Sequence, residues 1–283
     1  MTLARQILKG TTYLITRRCS QHQFLLRPSQ QNNQIFWYCL AEAVQRTGVL
    51  VHGACVLSNH YLAVVTDPEG RIPEFTEYLH KHTAKCINRS LGRHENVWSN
   101  EQPCMVALTD AQEVMEKLVF VLTYSVHSHL VSRSELWPGV LTTPEDMLRE
   151  PMVCLRPSVF FSTSGSAPKQ SLLEITIPPQ FADSDPHAFV DRLQKDVKAR
   201  EEKIRSETKR DGIRFLGARK VQAQKQTDTP FTVAPRRNLK PPVAAKCQWR
   251  QLEVSRWVPS FIKDYREAWL QWRNGIRDVL FPK

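Results

Sequence analysis

The residues from Thr11 to Arg18 (TTYLITRR) are rich in β-branched side chains and predict a first strand. Between about residues 32 and 45, Ile35, Phe36, Cys39, Leu40, Ala43 and Val44 recur at helical spacing, and Gly48 stops the run. Two β-rich runs follow, 49–57 and 60–66, and the turn formers Ser58-Asn59 between them predict a tight hairpin. Pro73 opens a second amphipathic helix with Phe75, Tyr78, Leu79, His82 and Cys86 on one face, ending near Gly92. Residues 98–109 allow a short fourth strand. Ala111 to about His129 reads as one continuous third helix with Val114, Leu118 and Leu122 turned inward.

The order β-α-β-β-α-β is that of a ferredoxin-like α+β sandwich, here with one more helix beside the sheet. After Trp137-Pro138-Gly139 the composition changes. Residues 150–187 are rich in Pro and Ser and read as a linker with at most one strand, at 172–177. Residues 189–210 form a heavily charged helix with a thin apolar seam of Phe189, Leu193 and Val197. A polar, basic, Pro-punctuated stretch runs from Gly217 to Pro242. The end of the chain gathers Trp249, Trp257, Trp269 and Trp272 among Arg250, Arg256, Arg266, Arg273 and Arg277. The expected organisation is a first domain over 1–149, a linker over 150–187 and a mainly helical basic extension over 188–283.

Charge sharpens that division. Of 39 Lys+Arg and 28 Asp+Glu, residues 1–150 hold 14 of each, so the whole net charge of +11 falls in the second half. Eight of the nine histidines lie in the first half. A neutral module joined to a basic one points to a polyanionic partner, nucleic acid first. The seven cysteines are scattered, with no C-x-x-C pair, which speaks against a zinc or dithiol site and for a reduced cytoplasmic setting. No apolar run approaches the ~20 residues of a membrane span, and no signal-type apolar core follows Arg5 and Lys9, so no membrane role is expected.

Two clusters could carry chemistry. On the strand beginning at His60, alternation puts His60 and Leu62 on one face; a His-x-His pair there would aim two imidazoles at one metal, but Leu62 breaks it. On the third helix, Phe120, Tyr124 and His127 share one face at i, i+4 and i+7, an arrangement by which a helix presents a nucleophile together with a ligand. The bland readings stand beside these: a lone His60 as a satisfied histidine, Tyr124 as a core aromatic, the charged helix as a solvated face, the tryptophans as a small core.

The runs TTYLITRRC, QFLLRP, LVHGACVLSNHYLAVVTDPEGR, KLVFVLTYSV, LVSRSELWPG, YREAW and RDVLFP resemble the bacterial single-tyrosine HUH transposases, in particular the REP-associated transposase-like proteins with a basic C-terminal extension. The resemblance spans nearly the whole chain and is most specific at SNHY and before Trp137-Pro138. It implies an HUH endonuclease core that holds Mg²⁺ or Mn²⁺ through a His-hydrophobic-His pair, while a helix tyrosine attacks a phosphate of single-stranded DNA and becomes 5′-phosphotyrosyl-linked. Carried over by position, His60 matches the first metal histidine, Leu62 the second, Phe120 the nucleophilic tyrosine and Tyr124 an asparagine that is a third ligand. Three of the four positions are thus substituted.

A phenylalanine has no oxygen with which to attack phosphorus, and a leucine has no lone pair for a metal. The expectation is a DNA-binding protein, nucleoid-associated, that recognises single-stranded or hairpin DNA without cleaving it. DNA contacts are expected from Arg17, Arg18, Arg219, Lys220, Arg236, Arg237 and Lys240. Two rivals remain. One is an active enzyme using Tyr124 as a displaced nucleophile, with His60 and His127 sharing Mg²⁺ or Mn²⁺. The other is an RNA-binding or scaffold subunit of a protein complex; a homodimer is also open.

Overall fold

The computed structural model describes residues 6–161, 165–230, 243–244 and 248–282. Its elements follow the chain as β1 (Thr11–Arg18), α1 (Gln30–Thr47), β2 (Leu50–Val56), β3 (His60–Asp67), α2 (Ile72–Leu91), β4 (Cys104–Leu108), α3 (Ala111–Leu122), α4 (Tyr124–His127), β5 (Met152–Leu155), β6 (Gln170–Leu173), α5 (Pro186–Arg210), α6 (Ala218–Ala223), β7 (Val243–Ala244) and α7 (Gln248–Arg273). The principal sheet has the order β2-β3-β1-β4, antiparallel throughout, with β7 added in parallel beyond β4. This is the ferredoxin-like α+β arrangement that the element order predicts.

Strand alternation divides the interior into two layers. Tyr13 and Ile15 of β1, with Tyr61, Ala63 and Val65 of β3, pack against Ile35, Phe36 and Leu40 of α1 and Phe75 and Leu79 of α2. The alternate residues Leu62, Val64 and Leu108 face Val114, Leu118 and Leu122 of α3 on the other side. The extra helix therefore covers the second face of the sheet. Helix caps agree with sequence: Ser29 accepts from the Asn32 amide, and Gly48, left-handed at φ 71°, ends α1.

Three features depart from expectation. First, the third helix breaks at Thr123, whose hydroxyl donates back to the Val119 carbonyl at 2.6 Å, a local bond that competes with continuing the helix. One turn follows as α4, closed by left-handed His129 at φ 55° and the Leu130 amide donating to the Ser125 carbonyl.

Second, residues 150–187 hold two strands where at most one was expected. The β5–β6 hairpin lies on α1, with Cys154, Leu173 and Ile175 in the first core and the Tyr38 hydroxyl donating to the Pro168 carbonyl. Alternation in this hairpin is half hidden, because Val153, Leu155 and Leu172 face outward.

Third, α5 starts at Pro186, capped by Asp185, and its seam is wider than Phe189, Leu193 and Val197, since Val190 and Ile204 are also buried in the second core. Each such side chain contributes roughly 1.5–3 kcal/mol gross, so α5 is a structural layer over α3. In α7, Trp272 is 44% exposed and so is no core residue; Arg277 lies over its ring and Arg273 over that of Trp269. The side chains of Trp249 and Trp257 lie outside the described residues.

Candidate nucleic-acid interface

The SNHY run forms the two-residue turn between β2 and β3, closed by the Leu57 amide donating to the His60 carbonyl at 2.8 Å. His60 opens β3 on the face shared with Leu62 and Val64, and Arg18, the last residue of β1, lies directly opposite it in register. The His60 Nδ1–H donates to Asn59 Oδ1 at 2.6 Å, which sets the ring by its own turn. Leu62 is 3% exposed in the second core.

Despite the break at Thr123, the helix residues stay together. The Phe120 and Tyr124 rings meet edge to face at 5.0 Å, Tyr124 and His60 do so at 5.4 Å, and His127 lies 5.9 Å from Tyr124 and 6.0 Å from Phe120. Over the Phe120 ring, with its Cζ 5.4 Å from the centroid, stands Arg200 of α5. Partial burial holds His127 below its ordinary pKa, helped by the charges of Arg200 and His129 and opposed by Glu207.

A divalent metal does not fit this donor set. Leu62, at the position where the resemblance implies a second imidazole, is a buried hydrocarbon. Among the described residues no three His, Cys, Asp or Glu side chains converge on a common point.

The remaining basic candidates fall in different places. Arg17 is on the opposite face from Arg18, over the Trp98 ring at 5.9 Å and donating to the Ser99 carbonyl at 3.4 Å; burial lowers its pKa. Arg219 and Lys220 are exposed on α6. Backbone bonds Leu216 to His129 and Gly217 to Leu130 anchor the start of α6 beside α4. At the far end, Arg27 donates to the Gln222 and Gln224 carbonyls, and the neighbouring Leu26 amide donates to Ser58. Arg219 and Lys220 thus lie between the α4 turn and the loop that flanks Ser58-Asn59. Arg236, Arg237 and Lys240 lie outside the described residues.

Sequence reading missed Arg200, because Glu and Lys/Arg crowd both sides of α5 and no charge stands out. Its signal is positional: Arg200 lies three residues beyond the buried Val197 and so borders the packed seam. The LVSRSELWPG run also has structural work. Ser134 donates through its amide and hydroxyl to Glu201 of α5, and Trp137 Nε1 donates to the Val56 carbonyl at 3.1 Å.

The fold is that of a ferredoxin-like sandwich with helices on both faces of its sheet. Among solved structures the chain is similar to a REP-associated tyrosine transposase bound to a REP hairpin, at 17% identity and a TM-score of 0.44, over 59% of this chain and 96% of that one. It is also similar to a crystallised protein assigned as a transposase from Deinococcus radiodurans R1, at 17% identity and a TM-score of 0.29, over 41% and 93% of the two chains. No family profile and no curated protein matches the chain.

Proposed function

We propose that this protein is a transposase-derived binder of single-stranded or hairpin-bearing DNA that does not cleave it. One observation carries the reading: where the resemblance implies a second metal histidine and an attacking tyrosine, this chain has a core leucine and a phenylalanine, while Arg18, His60 and the half-buried rings of Phe120 and Tyr124 stay together at that place. In this reading residues 1–149 supply the sheet and the candidate surface, residues 150–187 are no mere linker because their β5–β6 hairpin packs into the first core, α5 packs over α3, and the basic residues beyond α5 supply the charge. Among the described residues no helix is long and apolar enough to cross a membrane. A cytoplasmic, nucleoid-associated location is part of the proposal.

Binding is expected to be salt-sensitive, with log affinity falling by ~0.7 per log salt for each phosphate contacted on a single strand. Charge reversal at Arg219, Lys220, Arg236 and Arg237 is expected to weaken anisotropy-measured affinity for a labelled hairpin oligonucleotide by about ten-fold or more at 0.1 M salt. Equal signals with hairpin, duplex and no DNA at low salt overturn the proposal. Digesting co-purified nucleic acid with DNase or RNase separates it from an RNA-binding role.

Tyr124 packs between Phe120 and His60, one turn of ~5.4 Å from the position the resemblance assigns to the nucleophile, a large displacement for in-line attack. Incubation with labelled hairpin DNA and Mn²⁺ is expected to give no covalent adduct on denaturing gels. An adduct that disappears in Tyr124→Phe would show an active enzyme instead.

A further inference from the structure

We propose that the outward face of the β5–β6 hairpin is a self-complementary interface through which two copies of this chain form a dimer. The inference goes beyond the DNA-binding reading and does not rest on it.

The hairpin packs one face on α1 and turns the other to solvent. On the outward face Val153, Leu155 and Leu172 are each about half exposed, and Val153 lies directly opposite Leu172 in register. Large aliphatic side chains grouped on one face of a sheet mark a surface that another surface covers.

The charges at the two ends of the hairpin say which surface. The Arg156 amide donates to the Lys169 carbonyl at 2.9 Å, so two cations sit across from each other at the loop end. At the open end Glu150 leads into β5 and Glu174 follows β6, which puts two carboxylates together. Glu150, Lys169 and Glu174 are exposed, and neither they nor Arg156, whose Nη1 donates to the Ala167 carbonyl, make an ion pair among the described residues. Like charges facing each other across a ladder repel. A strip that is acidic at one end, apolar in the middle and basic at the other relieves both ends by meeting its own copy head to tail.

A two-fold axis between two stacked hairpins, perpendicular to their strands, makes that match. It sets Val153, midway between Glu150 and Arg156, and Leu172 against the same residues of the second copy, and brings each acidic end to a basic end at the ~10 Å spacing of stacked sheets. A nucleic-acid strand is a poorer occupant, because two carboxylates and three aliphatic side chains offer it neither positive charge nor rings to stack on. The hairpin lies on the α1 side of the sheet and α3 on the other, so the dimer leaves the α3 side of each copy open. With three large apolar side chains a side, the interface is small for a specific contact, and a micromolar dissociation constant is expected.

The test is sedimentation velocity on the full-length chain between about 1 and 100 μM. The wild type is expected to pass from one chain to two over that range, and to need higher concentrations in high salt. Leu172→Asp, Lys169→Glu and Glu174→Lys, all at exposed positions and each checked for folding by circular dichroism, are expected to stay monomeric. The decisive arm mixes Lys169→Glu with Glu174→Lys in equal amounts. Each variant repels its own copy, but one of each places opposite charges at both ends, and the dimer is expected to return. A wild type that stays monomeric throughout, a dimer indifferent to the three substitutions, or a mixture that stays monomeric each overturns the inference and leaves the DNA-binding reading standing. A monomeric wild type whose hairpin-DNA affinity falls in Leu172→Asp overturns it too, and assigns the face to nucleic acid.

Discussion

Acidification from pH 7 to pH 4 is expected to remove most of the stability of this fold, chiefly through two buried histidines. His52 is fully buried beside a bulge in β2 and belongs to a chain of hydrogen bonds whose direction is fixed at one end. The Thr176 carbonyl can only accept, so His52 Nδ1–H donates to it at 2.8 Å and Nε2 of the neutral ring accepts from the Thr66 hydroxyl at 2.8 Å. With its proton so used, Thr66 Oγ1 accepts from the Thr12 hydroxyl at 2.7 Å, and Thr12 Oγ1 accepts from the Gln180 amide at 2.8 Å. A proton on Nε2 turns that acceptor into a donor and sets it against Thr66. His80 accepts from the Tyr61 hydroxyl at 2.6 Å in the first core, within the electrostatic reach of Arg17.

Burial pushes His52 down to about 4 and, with Arg17, His80 down to about 3, from an ordinary value of 6.5. Because the folded values lie below the unfolded one, the unfolded chain binds protons first. The stabilisation is complete above pH 6.5 and is lost as pH falls toward 4 and then 3. At 1.36 kcal/mol per unit, each histidine forfeits roughly 3 kcal/mol by pH 4, and the pair approaches the roughly 5–15 kcal/mol total of an ordinary domain. Urea midpoints measured between pH 7.5 and 4 should fall steeply below 6.5. A His80→Gln variant, less stable at neutral pH, should show a shallower slope. Midpoints that hold constant from pH 7 to 4.5 rule the mechanism out.

Legibility in the sequence followed the physics of each element. β1, α1 and α2 show apolar periodicity, and β2 and β3, buried on both faces, read as continuous β-rich runs, so these patterns and the turn residues between them locate the elements to within a few positions. The break at Thr123 was hidden, because a β-branched residue that bonds its own i−4 carbonyl looks the same in sequence as one that does not. The β5–β6 hairpin was hidden for the opposite reason: its outward apolar residues erase the alternation on which strand reading depends. At the candidate site, His60, Leu62, Phe120 and Tyr124 were all identified from spacing, and the structure brings His60, Phe120, Tyr124 and His127 together while Leu62 turns into the core. Arg200 reaches that site only because α5 folds across α3, a contact between residues about eighty positions apart that local pattern does not encode.

Gly139→Ala is expected to cost about 3–5 kcal/mol, because a methyl group there meets its neighbours more closely than at the other described glycines. A Cβ at position 139 would lie 2.5 Å from Trp137 Nε1, 2.9 Å from its Cε2 and 3.1 Å from Pro28 Cγ. The indole cannot step aside freely. It is 6% exposed in the second core, and its Nε1 holds the Val56 carbonyl at the end of β2. Moving the ring leaves that carbonyl without its partner and opens a void beside α3, so overpacking and a lost buried hydrogen bond act together. Val56 is followed at once by the turn that seats His60, and so a displaced Trp137 reaches the candidate site through three residues of backbone. Gly139→Ala should therefore lower the melting temperature by about 10 °C and weaken hairpin DNA binding in parallel. Trimming the ring with Trp137→Phe in the same chain should recover part of the loss, giving a favourable coupling between the two sites. A Gly139→Ala protein that melts within about 2 °C of the wild type would show that the Trp137 ring is not fixed by the Val56 carbonyl.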